Sequence, residues 1–190
     1  NGDEYTIRMR IPIDGDISFK DLVYGKINTK CSELDDFIIA RSDGSPTYNL
    51  TVVVDDNDMN ISHVIRGEDH ISNTPKQMLI YKALEWTIPK FGHLPMILGS
   101  DGKRLSKRHG AKGTSEYKDL GYLPDTLINY LALLGWNPGN DDEIFDFNYL
   151  QENFSLEKVN KKSAVFDNTK LDWVSSQNIF KISAAKLVDI

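Results

Sequence analysis

Cysteine is nearly absent from this chain. Cys31 is the only one, so no intramolecular disulfide and no cysteine-cluster zinc site can form, and a reducing cytoplasm fits that usage. Long apolar runs are missing as well; none approaches the ~18–20 residues that cross a bilayer. Asn1 to Arg10 shows no basic region followed by an apolar stretch, the pattern of a secretory leader. Positive charge is in deficit. The formal net charge of -6 means the surface as a whole is no phosphate-binding coat, so any nucleic-acid contact must sit in a local patch. The familiar nucleotide fingerprints are absent: there is no G-x-G-x-x-G, and around Gly102-Lys103 the first glycine of a P-loop is missing and Arg104 follows the lysine. There is no internal repeat, no low-complexity tract and no initiator Met. Lys181 to Ile190 breaks off inside an amphipathic pattern, so the expectation is a piece of a longer protein.

What is present suits an ordinary globular chain. At 190 residues, 40% hydrophobic and 26% charged, it has enough material for one large domain or two small ones with a real core. Three stretches can be drawn. Residues 1–47 read as β-rich: Ile7, Met9 and Ile11 alternate with Arg8 and Arg10, further short apolar runs cover Leu22 to Ile27 and Phe37 to Ala40, and turn-forming segments lie at 12–16 and 42–46. Residues 48–98 carry an α/β rhythm. Leu50 to Val54 reads as a strand buried on both faces, Val64-Ile65 as a second strand, and Leu94 to Leu98 as a third. Between them, Thr74-Pro75-Lys76-Gln77 has the form of a helix start with Thr74 as cap, and Leu79, Ile80, Ala83 and Leu84 are its expected inward stripe. Strand, helix, strand at this spacing predicts a parallel sheet with a crossover. Residues 99–190 read as mainly helical. One helix spans Pro124 to Leu134 with Leu127, Ile128, Leu131 and Leu134 inward and Gly135 as cap; a weaker one spans Lys170 to Asn178.

The sharpest local feature is a basic loop. From Lys103 to Lys112 the chain has five Lys or Arg residues and no acid, with glycines on both sides. Concentrated cations on mobile backbone are what a polyphosphate site needs as charge builds on the phosphates. On composition alone, such a cluster is more often a solvated loop.

Arg104-Leu105-Ser106-Lys107-Arg108 resembles the KMSKS signature of class I aminoacyl-tRNA synthetases, in the K-L-S-K-R form of the glutamyl enzymes. Arg104 stands where that family has Lys; it keeps the charge but presents a planar fork. His109-Gly110-Ala111 continues the likeness to bacterial glutamyl-tRNA synthetases. So do Arg41 to Asn49, Val53 to Asp56, His63 to His70, Asn73-Thr74-Pro75 and Gly121 to Pro124, in order along essentially the whole chain. The HIGH signature would precede this chain. The resemblance implies an α/β fold in three parts. Residues 1–47 would end an acceptor-binding insertion, 48–98 would form the second half of a Rossmann catalytic domain, and 99–190 would hold the KMSKS-type loop and a helical stem-contact domain.

The same resemblance assigns roles. Lys107, Arg104 and Arg108 are catalytic candidates, and with Leu105 and Ser106 they would hold ATP. Tyr48 and Arg66 would line a glutamate pocket, which suits the residue types, since a guanidinium pairs bidentately with a carboxylate. Without the resemblance, Arg66 is more often a strand-end surface residue and Tyr48 a half-buried packing residue. Asp56 and Glu68 are weaker candidates. His63, Glu68, Asp69 and His70 match no metal-ligand spacing and read as structural or solvated, so no protein-bound metal is expected. Cys31 reads as incidental, and Trp136, Trp173 and Tyr149 as packing residues. The implied activity is that of a cytoplasmic glutamate–tRNA ligase, a monomer using L-glutamate, ATP with Mg2+, and tRNA for glutamate. The isolated piece is expected to be inactive. The rival readings are a glutaminyl-tRNA synthetase and a non-catalytic module derived from a synthetase that binds tRNA or a partner.

Overall fold

The computed structural model describes residues 4–106 and 112–182. The chain divides into two compact units, Asn1–His93 and Leu94–Ile190. Among the described residues no helix is long and apolar enough to cross a membrane.

The first unit is built from short pieces that bury one face each. β1 (Ile7–Met9) pairs antiparallel with β4 (Phe37–Ala40). β2 (Asp16–Asp21) and β3 (Gly25–Lys30) form a hairpin whose tip turns at Gly25, where φ is +81°. The run from Leu22 to Ile27 is thus a turn plus the start of a strand. β5 (His63–Gly67) is hydrogen-bonded to β6 (Lys90–Leu94), and a 3-10 turn (Glu68–Asn73) followed by α2 (Thr74–Ala83) connects them. Ile11, Ile17, Cys31, Met78, Leu79 and Phe91 make one core, so Cys31 is an interior packing residue.

Leu50 to Val54 is not a strand. It lies in α1 (Tyr48–Asp58), where Val53 is fully buried against Ile80 and Tyr81, with Leu50 packed alongside. Val53 is the one fully buried position of α1, and Leu50, Val54 and Asn57, which lie with it at the i, i+3, i+4, i+7 helical spacing, are among its half-buried residues. β-branched residues cost a helix only a few tenths of a kcal/mol each, roughly, which one buried face outweighs. The expected sheet through this segment therefore does not form. In α2 the cap is Asn73, not Thr74, because the preceding 3-10 turn runs straight into the helix. Its buried residues run from Thr74 to Tyr81 except Lys76, while Ala83 and Leu84 are exposed.

In the second unit, β7 (Ile97–Leu98) pairs in parallel with β8 (Ala164–Val165). The helices are α3 (Thr114–Asp119), α4 (Pro124–Leu133), α5 (Phe147–Asn153) and α6 (Asn168–Phe180). Asp146 and Asp167 cap α5 and α6 by accepting from the amides of Tyr149 and Thr169. Tyr117, Tyr130, Leu134, Leu171 and Val174 form the core. Of the expected inward residues of α4, Leu134 lies in this core and Leu127 packs against it, but Ile128 and Leu131 are 37% and 49% exposed, and Thr126, Asn129 and Tyr130 are buried instead. The polar residues go inward because they have partners there. Asn129 bonds the Glu143 carbonyl and the Phe145 amide, and the Tyr130 hydroxyl bridges the carbonyl and amide of Asp167. Gly135 follows the helix without a positive φ. Trp136 is buried and Tyr149 stacks on Phe145, but Trp173 is 40% exposed beneath the Lys170 ammonium.

Candidate active site

Turn chemistry places the first residue of the site. Asp43 closes the 42–46 turn by accepting from Ser45, and Arg41 donates to the Pro46 carbonyl at 2.8 Å. Thr47 leaves this turn extended and donates its hydroxyl to the Ile38 carbonyl, so α1 starts at Tyr48 against β4. Tyr48 thus occupies the first turn of this helix. It is half exposed, and its ring lies 5.9 Å from that of His70, with the hydroxyl 3.4 Å from His70 Nδ1. Its neighbour Asn49 accepts from Gln77 Nε2 at 3.2 Å.

β5 delivers Arg66 to the same place. Its Nε donates to His93 Nε2 at 3.2 Å, and its Nη2 donates to Thr74 Oγ1 at 2.8 Å and Gln77 Oε1 at 2.9 Å, with the His70 carbonyl at 3.4 Å. The guanidinium also lies 5.7 Å from the Phe91 ring centroid. All its hydrogen-bond acceptors are neutral. Burial lowers the Arg66 pKa from its ordinary value, against which the nearby Tyr48 phenol, Asp56 and Asp69 favour the charged form. No carboxylate forms an ion pair with it among the described residues. A half-buried cation whose hydrogen-bond partners are all neutral is costly to hold, and a bound anion would offset that cost.

Two weaker candidates divide. Asp56 lies half-buried near Arg66 and bonds to none of its nitrogens; burial raises its pKa, and Arg66 opposes the rise. Glu68 accepts from the Tyr24 hydroxyl, and burial together with that bond pushes the Tyr24 pKa far up. His63 is exposed beside Ser62, and among the described residues no three His, Cys, Asp or Glu side chains gather as metal ligands would.

The sequence reading missed Asp21 and His93. Asp21 Oδ2 accepts from His93 Nδ1 at 2.6 Å, and Asp21 Oδ1 accepts from the amides of Val23, Tyr24 and His93. Both side chains are fully buried. Burial pushes the Asp21 pKa up, but those donated bonds outweigh it and hold it below the ordinary value; burial lowers His93. The only trace in the sequence is a histidine inside the apolar run Phe91 to Leu94. Nothing local reveals a partner 72 positions away.

The basic loop begins as a tight hairpin on β7. Leu105 N donates to the Ile97 carbonyl and Gly99 N to that of Lys103, both at 2.8 Å, and Gly102 turns with φ +74°. Arg104 pairs with Leu98 and is exposed, while Leu105 and Ser106 are half-buried. Lys107 and Arg108, with His109 to Ala111, lie outside the described residues.

Known proteins are similar over nearly the whole chain. The family described as tRNA synthetases class I (E and Q), catalytic domain, matches residues 1–173. The glutamate–tRNA ligase of Nitrosospira multiformis is 50% identical over 97% of this chain and 39% of its own length. Glutamate–tRNA ligase 1 of Caldicellulosiruptor saccharolyticus is 52% identical over 94% of this chain and 37% of its own. Among solved structures, the glutamate-tRNA synthetase of Elizabethkingia anophelis superposes with a TM-score of 0.84 at 34% identity, over 98% of this chain and 41% of that one. The glutamate tRNA ligase of Elizabethkingia meningosepticum, solved with its amino acid, gives 0.83 at 35% identity, over 95% of this chain and 39% of that one.

Proposed function

The chain belongs to the class I tRNA synthetases (E and Q), catalytic domain, and from that membership we propose that it supplies the glutamate-binding arginine and the phosphate-binding loop of a glutamate–tRNA ligase. It spans about two-fifths of the length of the relatives it matches, so the activity is that of the full-length protein. The observation that carries the reading is Arg66: a half-buried cation held by neutral acceptors beside the Tyr48 phenol suits a carboxylate ligand. Relatives at about half identity are named for glutamate, which supports that amino acid over glutamine.

In the first step a glutamate α-carboxylate oxygen attacks the α-phosphorus of ATP. The bond to the bridging β-phosphate oxygen breaks and pyrophosphate leaves. A hydroxyl of the terminal adenosine of tRNA then attacks the activated carbonyl, and AMP leaves. Arg66 and Tyr48 hold the glutamate, while Lys107, aided by Arg104 and Arg108, opposes charge on the departing pyrophosphate. Mg2+ arrives with ATP, held mainly by phosphate and water. The assignment of 1–47 to the acceptor-binding insertion, 48–98 to the second Rossmann half and 99–190 to the stem-contact region belongs to the same proposal, as does a cytoplasmic monomer binding tRNA for glutamate.

The test is pyrophosphate exchange with cognate tRNA present, in the full-length enzyme carrying this sequence. Arg66→Ala should raise KM for glutamate roughly tenfold or more. Lys107→Ala should slow adenylate formation by ~10²–10³ with glutamate affinity unchanged. If Arg66→Ala leaves glutamate affinity as it was, Arg66 is not in the pocket.

A further inference from the structure

Arg66 is held from outside its own strand. The β2–β3 hairpin tip is fastened to β6 by its backbone, Leu22 N donating to the Phe91 carbonyl at 2.8 Å. The fit is close: a Cβ added at Gly92 would meet Leu22 Cβ at 3.4 Å. Asp21, at that tip, accepts three amide protons and so has one fixed orientation. Its other oxygen faces His93 Nδ1 at 2.6 Å, which requires the proton there. His93 Nε2 then presents a lone pair; Arg66 Nε donates to it at 3.2 Å, and the Thr74 hydroxyl lies 3.2 Å from the same nitrogen.

We propose that Asp21 and His93 are positioning residues for glutamate recognition: Asp21 selects the His93 tautomer, and His93 Nε2 fixes the plane of the Arg66 guanidinium. This rests on reading Arg66 as the glutamate-binding residue. A guanidinium is planar, so bonds to Nε and Nη2 set where Nη1 points. Nη1 takes part in none of these four hydrogen bonds, and the guanidinium also meets the Tyr48 side chain, so the bonds on Nε and Nη2 orient the edge that a carboxylate would meet beside Tyr48. The hairpin thereby bears on amino-acid selection through two buried side chains, without touching the substrate.

Three variants of the full-length enzyme separate positioning from simple fastening. His93→Asn keeps a donor for Asp21 but removes the acceptor for Arg66 Nε. His93→Gln reaches the Nε2 position with an amide oxygen and restores that acceptor. Asp21→Asn presents an amide donor to Nδ1, favours the other tautomer and turns an N–H toward Arg66. KM for glutamate should rise about tenfold in His93→Asn and Asp21→Asn and stay within about threefold in His93→Gln, while KM for ATP stays within about twofold in all three. Unchanged glutamate KM in the first two, equal losses for glutamate and ATP, or His93→Gln no better than His93→Asn would each overturn the proposal. Arg66→Ala serves as reference: if it too leaves glutamate KM unchanged, the pocket reading fails and this inference with it. A normal Arg66→Ala effect beside inert His93 and Asp21 variants removes the positioning alone. Should the variants fail to fold, ¹⁵N spectra of histidine-labelled native enzyme give the answer directly. Protonated Nδ1 and bare Nε2 at His93 support the proposal, and a protonated Nε2 overturns it.

Discussion

At Arg66 the environment of one side chain carries most of the functional argument. Surface arginines have water for company and buried ones usually have a carboxylate; this one has a histidine nitrogen, a hydroxyl, an amide oxygen and a carbonyl. Neutral acceptors orient the guanidinium without cancelling its charge. The same chemistry sets a pH response through His93 and Asp21. Burial holds the folded His93 pKa below its ordinary value, and a proton on Nε2 would confront the Arg66 N–H. The unfolded chain takes up that proton near pH 6.5, so stability is full above about 6.5 and falls as pH drops below it. Asp21 is also depressed in the fold, so its contribution is full above about 3.9 and is lost on further acidification. Denaturant unfolding of the full-length enzyme between pH 8 and 4.5 should show the first decline, and His93→Gln should flatten it. An equal decline in that variant would assign the effect to other groups.

At the scale of elements, the hairpin tip and α1 illustrate two ways local sequence meets its surroundings. Gly25 has φ +81° and open space around its missing Cβ, so its requirement is purely conformational. Gly25→Ala should therefore cost about 1–2 kcal/mol through backbone strain alone, measured by urea unfolding. A loss well below that would mean the tip readjusts without strain. α1 makes the opposite case. Its Leu50-Thr51-Val52-Val53-Val54 run favours extended chain by propensity, yet a strand there would not bury Val53 against Ile80 and Tyr81 as the helix does. The run was readable as apolar but not as helical, because β-branching and helical spacing point in opposite directions and only the neighbouring α2 decides between them. α4 was legible only in part, with Leu127 and Leu134 inward as their spacing suggests. Counting apolar residues selected the face with Ile128 and Leu131, whereas Asn129 and Tyr130 face inward to meet backbone groups distant in sequence.

Across the whole molecule, the two units hold separate cores. Val53 packs with Ile80 and Tyr81, and Leu171 with Tyr117, Tyr130, Leu134 and Val174; the two sets share no residue. Leu171→Ala should cost about 2–5 kcal/mol, with a smaller loss for Val53→Ala, since each leaves a cavity in a filled core. The double variant should lose the sum of the two within about 0.5 kcal/mol. A coupling beyond that value, read from denaturant midpoints of singles and double, would mean that the two cores respond to each other.

Composition and short signals alone settled a good deal. They gave an ordinary globular chain with mixed α and β elements, turns at Gly15 and Gly44, helices near residues 74, 124 and 170, and a basic cluster in an acidic protein. Those features depend on neighbours a few positions apart, and ordered motifs along the chain were enough to point to the synthetase family that residues 1–173 match. Tertiary structure decided which way Leu50 to Val54 folds, which face of α4 is buried, and that Asp21 reaches His93 and through it Arg66. Each of those outcomes is a contact between segments far apart in sequence, and such contacts form only when the chain has closed on itself.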